Sequence, residues 1–358
     1  MPNYLLAPGA PLPLSTLAEL LANGETVALG PEAAASFIPA GAPAEASELA
    51  GLRAQAYGTG PEAPQPLVRL MLLLAVHQAV NEPIGLARPT AERLLAMYNR
   101  ELLPVVFEQG GDAAARAHLV LPLLGEGEIN YQGYRLATAD AFSLFSWEPL
   151  ALRAGEAGAL LRGAPFALAY AVDALLRAQR LARAAAAIRA LAMATETPEE
   201  TALSAALAVA AQAVAGALDH AEAAPLAPAL GQLAAAVAAL GQAASTRAAQ
   251  RAAGPGPLSL AAHTTTSSQL VAAEADAYAA LRTRQVVENV EQLLGLELLA
   301  TAAGAPTGGS ESGETLLAAF RAAVPGGGPG VAPYPALRQA AAFVRGHAWL
   351  AVGPGGAQ

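Results

Sequence analysis

Cysteine is absent from the 358 residues, and so is lysine: all 20 basic residues are arginines. Without cysteine there is no disulfide, no thiolate nucleophile and no Cys-ligated metal. Without lysine there is no Schiff base and no phosphate-loop ammonium. Charge of either sign is scarce, at 14% of residues, and the balance is acidic, net −9. Nucleic-acid binders need a basic stripe that displaces counterions from phosphates, so no nucleic-acid partner is expected. The five histidines show no pair at metal-ligand spacing, so no metal site is expected. The opening MPNYLLAPGAPLPL has neither a basic n-region nor an unbroken apolar run, which argues against a signal peptide. With the lack of cysteine, this sets a cytoplasmic expectation. The alanine-rich stretch from Ala202 to Ala249 is broken by Asp219, His220, Glu222 and prolines, and no membrane span is expected from it.

What is present is apolar and helical. At 54% hydrophobic the chain can bury a sizeable core. Residues 1–66 read as an irregular, small α+β region. They hold a short helix at Leu14 to Leu21, with Ser15 or Thr16 as N-cap, a strand at Glu25 to Leu29, and a helix near Ala46 to Gln55. Residues 67–303 read as the helical core. Leu67, Leu70, Leu74 and His77 share one face, with His77 a satisfied core histidine, and Pro83 stops that helix. Thr90 caps the next, whose apolar face is Leu94, Leu95, Tyr98 and Leu102. Ile129 to Leu136 reads as a small hairpin or turn on the surface. Helix propensity dominates residues 164–250, punctuated by Pro198, Pro225 and Pro228. In the helix Glu274 to Ala303, Leu281, Val286, Val290, Leu293 and Leu294 face inward, with Arg282, Glu288 and Glu291 outward. Residues 304–358 read as a linker and C-terminal helices around Glu314 to Ala323 and Pro335 to Gly346. The run Gly326 to Gly330 is a loop with no Lys or Ser/Thr in register for phosphate binding. The fold class is mainly α.

Ordered phrases then point to a family. Val27-Ala28-Leu29-Gly30-Pro31-Glu32-Ala33, Arg69-Leu70-Met71-Leu72-Leu73, Arg88-Pro89, Leu103-Pro104-Val105-Val106, Glu108-Gln109-Gly110, Leu123-Leu124-Gly125-Glu126-Gly127 and Tyr131-Gln132-Gly133 occur in that order. Together with Val287-Glu288-Asn289-Val290-Glu291 they resemble the histidine and phenylalanine ammonia-lyases. The resemblance implies a long-helix bundle of the fumarase/aspartase type, a homo-oligomer (dimer or tetramer), and a shortened homologue. It also implies a missing electrophile. Family enzymes cyclise Ala-Ser-Gly into methylideneimidazolone, whereas here Gln109-Gly110 runs directly into Gly111-Asp112. The cofactor is therefore expected to be absent, unable to form at Gly110, Gly111 and Asp112.

Other family positions depart as well. Gap-free counting from Arg69 puts Gly58 and Gly60 on a Gly-x-Gly and Ala54-Gln55 on a Ser-His pair; a second alignment makes Tyr57 the remnant of the loop tyrosine. The substrate-holding Asn becomes Arg162, the carboxylate-binding Arg becomes Ala208 in a phrase ending at Gln212, and a late Gln-Glu becomes Gln269-Leu270. Elimination needs an electrophile, a base and a cationic clamp, and losing one group from a set that acts as a unit already costs orders of magnitude in rate.

The candidates that remain are Tyr57, Asp112 and His118 for catalysis and Arg162, Gln212, Gln269 and His263 for ligand binding. Each has a plainer reading. Asp112 and His118 form either a proton relay or a buried structural pair. His263 heads the hydroxyl-rich Thr264 to Ser268, which is either pocket lining or a turn cluster. Arg162 either binds a small anion or pairs with a local acid such as Glu156. Three functions follow: a degenerate homologue with a structural, binding or regulatory role, a cofactor-independent enzyme in the ancestral pocket, and a residual ammonia-lyase or aminomutase.

Overall fold

The computed structural model describes residues 4–39, 41–82, 84–191, 195–219, 225–251, 275–304, 311–324 and 334–349. They divide into two compact units. The first comprises residues 1–173, 212–226 and 275–281; the second holds 174–211, 227–274 and 282–358.

The first unit opens with β1 (Tyr4–Leu6), α1 (Leu14–Asn23) and β2 (Val27–Leu29), the strands pairing in parallel. Helix α1 starts after Pro13 with no side-chain cap, so neither Ser15 nor Thr16 caps it, and it stops at Gly24, whose φ is 64°. Helix α2 spans Ala46–Ala54. Strand β3 (Thr59–Glu62), which Gly60 and Pro61 hide from pattern reading, pairs antiparallel with β5 (Phe107–Gln109). Helix α3 (Gln65–Asn81) is buried on nearly every side from Leu67 to Val80, so it forms the centre of this unit. Its end fits the coming proline: Glu82 is extended at φ −123°, as a residue before proline prefers, although Pro83 itself lies outside the described residues.

Helix α4 (Arg88–Arg100) follows an uncapped Ala87. Thr90 does not cap it but sits in its first turn, donating to Glu156 at 2.7 Å. Glu156 is almost fully buried and also accepts from the amides of Ala87 (2.7 Å) and Arg153 (2.6 Å). Strands β4 (Leu103–Pro104), β6 (Glu128–Tyr131) and β7 (Tyr134–Ala137) form a three-stranded sheet. The β6–β7 turn places Gln132 and Gly133 at positive φ, the conformation a two-residue hairpin demands. Ile129 of this hairpin is fully buried, so the hairpin carries core as well as surface. Between these strands lies α5 (Gly111–Val120). Helices α6 (Thr138–Ser143) and α7 (Glu156–Leu160) are short, and α8 (Pro165–Leu191) begins here and crosses the unit boundary after Asp173.

The second unit draws on α8, α9 (Pro198–Asp219), α10 (Ala227–Arg251), α11 (Asp276–Gly304), α12 (Glu311–Ala323) and α13 (Tyr334–Gly346). Small residues let these helices approach closely. A Cβ at Gly241 of α10 would lie 2.6 Å from Val290 of α11, and one at Gly295 would lie 2.8 Å from the Ala341 amide of α13. Of the expected inward set, Val286, Val290, Leu293 and Leu294 are buried as the periodicity predicts, while Leu281 is only half-buried. Glu291 is not outward, however. It is buried and takes Arg177 of α8 at 2.7 Å and Arg345 of α13 at 2.9 Å. Glu297, also buried, takes Arg247 at 2.5 Å.

The expectation about long apolar helices needs correction. By length and composition alone, Glu156–Leu191, Pro198–Leu218 and Ala227–Arg251 are each long and apolar enough to cross a membrane. Asp219 is the last residue of α9, Pro198 its first, and Pro228 lies in the first turn of α10; His220 and Glu222 lie outside the described residues. In the first of these segments 67% of the apolar window is buried inside the protein, in the second 33%.

Candidate functional site

The segment Glu108 to Asp112 is held from three directions. Glu108 accepts the buried Tyr170 hydroxyl at 2.7 Å. Asp112 accepts the Ala167 amide at 3.1 Å, in the first turn of α8, where a carboxylate also meets the positive end of the helix dipole. Gly58 donates its amide to His118 Nε2 at 3.1 Å, and the β3–β5 pairing closes the third side. That bond makes Nε2 the acceptor and puts the proton of the neutral ring on Nδ1.

The fit around Gly58 and Gly110 is tight. A Cβ at Gly58 would lie 3.0 Å from His118 Cδ2 and 3.3 Å from the Gln109 carbonyl. Gly110 has φ 125°, which side chains rarely adopt, and its Cβ would lie 2.7 Å from that of Ala114 and 3.2 Å from Gly58 Cα. The short loop is thus sealed by glycine against glycine.

Asp112 and His118 do not meet. Six residues apart on α5, each bonds the backbone of a different segment. Burial raises the Asp112 carboxyl above its ordinary range, against the Ala167 amide and the nearby Arg116 charge, which pull it down. Burial lowers the His118 imidazole. Tyr57 points to solvent at 56% exposure, and Gln212 is exposed on α9. Arg162 does not pair with Glu156, whose oxygens are taken by Ala87, Thr90 and Arg153. His263, Gln269 and Leu270 lie outside the described residues, as do Gly326 to Gly330.

Arg162 lines a cavity instead. About 260 Å³ of space lies within the first unit, bounded by Gln78 of α3 and Glu82 just beyond it, Arg116, Leu119 and Val120 of α5, and Leu160, Arg162, Gly163 and Pro165. Leu86 and Leu94 add apolar wall. Arg116 escaped the sequence reading because an Arg four residues after Asp112 looks like an ordinary helix-surface pair. Its Nε is buried with no hydrogen-bond partner, and burial lowers its pKa while the Asp112 charge raises it. None of Gly58, Gln109, Gly110 or His118 lines this cavity. The reason is helical geometry: residues 116, 119 and 120 share one face of α5, and residue 118 lies on another.

Long helices, together with a loop segment that keeps Glu108-Gln109-Gly110 and Leu123 to Gly127, define an ammonia-lyase-like scaffold. The aromatic amino acid lyase family model matches residues 33–224, and the chain belongs to that family. It is 36% identical over 150 residues to the histidine ammonia-lyase of Bradyrhizobium diazoefficiens, a match covering 39% of this chain and 29% of that protein. It is 39% identical over 136 residues to the histidine ammonia-lyase of Geobacillus thermodenitrificans, covering 37% and 27%. The chain therefore spans less than a third of these relatives' own length. Among solved structures, histidine ammonia-lyase from Trypanosoma cruzi superposes with a TM-score of 0.83 at 20% identity, over 96% of this chain and 93% of that one. Ergothionase from Treponema denticola gives 0.82 at 13% identity, over 96% and 98%. At these identities the structural likeness speaks for the fold.

Proposed function

We propose that this chain is a catalytically degenerate member of the family, a structural, binding or regulatory protein that assembles as a homodimer or homotetramer. The observation that carries the reading is the sealed loop. Gln109-Gly110-Gly111-Asp112 offers no serine to cyclise. The contact of Gly110 with Ala114 and Gly58 resists any side chain there. The residues present do not fit a methylideneimidazolone. The family's substrate-holding positions support the same reading, since they carry Arg162, Ala208 and Leu270.

The alternative, cofactor-independent chemistry, rests on the cavity. Its lining offers Glu82 as the single carboxylate among the described residues, and neither a hydroxyl side chain nor an imidazole. A lone acid beside two arginines is equipped for holding an anion rather than for paired acid–base work.

A turnover assay tests the degenerate reading against the family reaction. Purified full-length chain is incubated with histidine, phenylalanine and tyrosine while unsaturated-acid absorbance and ammonia are followed. We expect neither product. Ammonia released together with urocanate or cinnamate would overturn the reading.

A further inference from the structure

We propose that the cavity between α3, α5 and the start of α8 binds a small organic monocarboxylate with a compact apolar body, held by Arg116 and Arg162. This inference deepens the binding role proposed above and rests on it only for its biological use.

Four observations converge. Arg116 is a half-buried guanidinium whose Nε has no acceptor, and an arginine stays charged at any pH the protein meets. Asp112, the acid on the same helix that acts on it electrostatically, already has an oxygen committed to the Ala167 amide. A desolvated cation with spare donors is costly unless an anion reaches it. The lining carries two guanidiniums against one carboxylate, Glu82, a balance that favours an anion over a cation. Gln78, itself buried, packs against Gly163 at the cavity and supplies a further amide.

The remaining wall is aliphatic. Leu86, Leu94, Leu119 and Leu160 would receive a ring or short chain, and would give nothing to a fully hydrated oxyanion. About 260 Å³ is just under the ~300 Å³ lower end of small-molecule pockets, room for on the order of ten non-hydrogen atoms. The site also lies away from the remnant loop, because the α5 face carrying Arg116 is not the one that His118 turns to Gly58.

Isothermal titration and thermal shift with the full chain test this. The probes are benzoate, hexanoate and phosphate, each against chloride at matched ionic strength. We expect saturable binding of benzoate or hexanoate below about 10 mM. Arg116→Leu should weaken it at least about tenfold. Leu160→Trp, which fills the space, should abolish it while the circular dichroism spectrum stays helical. If Arg116→Leu fails to fold, Arg162→Gln and Leu160→Trp carry the comparison. No saturation by either carboxylate, unchanged binding in the variants, or preferential saturation by phosphate would each overturn the proposal. Elimination activity found in the turnover assay would sink the degenerate reading and leave this one standing.

Discussion

His118 commits a ring nitrogen to the Gly58 amide, and that commitment has an energetic sign. Its folded pKa lies below the ordinary value because of burial. A depressed histidine contributes stability that is complete above about pH 6.5 and is lost as pH falls through that value toward the folded one. His118→Ala should cost about 1–3 kcal/mol at pH 8, from an orphaned amide. It should cost less at pH 5, as urea unfolding at the two pH values would read. Some acid sensitivity should survive, because His347 is shifted in the same direction. An equal cost at both pH values would contradict the assignment. At this scale the sequence was legible where a residue's partner is near and opaque where it is far. The sequence offers Glu156 as one of two alternatives for Arg162, six residues on, but its donors come from Ala87 and Thr90, more than sixty residues back, as well as from Arg153. Thr90 was read as a cap for the same reason: its type suits a cap, and only the tertiary fold reveals the buried acid it serves.

Helix α11 shows the same limit on a longer element. Period 3.6 correctly placed Val286, Val290, Leu293 and Leu294 in the core. It put Glu291 outside because a carboxylate is assumed to be solvated, and no local pattern announces Arg177, 114 residues away. The two arginines on Glu291 are unequal. Arg177 is 5% exposed and Arg345 is 50% exposed. Glu291→Ala strips the buried Arg177 of its nearest carboxylate, with Glu288 still at 2.9 Å, and should cost about 3–5 kcal/mol. Arg345→Ala removes a solvent-screened contact and should cost under about 1 kcal/mol. Urea denaturation of both variants checks the contrast, and similar losses would refute it. Strand β3 was missed because Gly60 and Pro61 are poor strand formers; its partner β5 is what makes it a strand.

On the scale of the whole molecule, the family and the mainly helical class were readable from ordered phrases and helix propensity. The cavity was not, since its walls come from four separate stretches of chain and its key cation, Arg116, carries no motif. The proposed homo-oligomer has a surface that favours it. Helix α9 is strongly apolar, yet only a third of its apolar window is buried, and Val209 is 46% exposed. Soluble monomers seldom leave such faces uncovered. Light scattering after size-exclusion chromatography should give a dimer or tetramer mass, and Val209→Glu should shift it toward monomer. A monomeric wild-type chain at tens of micromolar would end that expectation.

The Glu156 carboxylate joins the residue before α4, the first turn of α4 and the residue at 153 through three donors on two oxygens. Such a knot ties local opening events together. The amides of Ala87 and Arg153 belong to segments 66 residues apart, but neither can be released to solvent without stripping a buried charge of part of its solvation. In hydrogen exchange the amides of Ala87 and Arg153 are therefore expected to open together, as one cooperative unit.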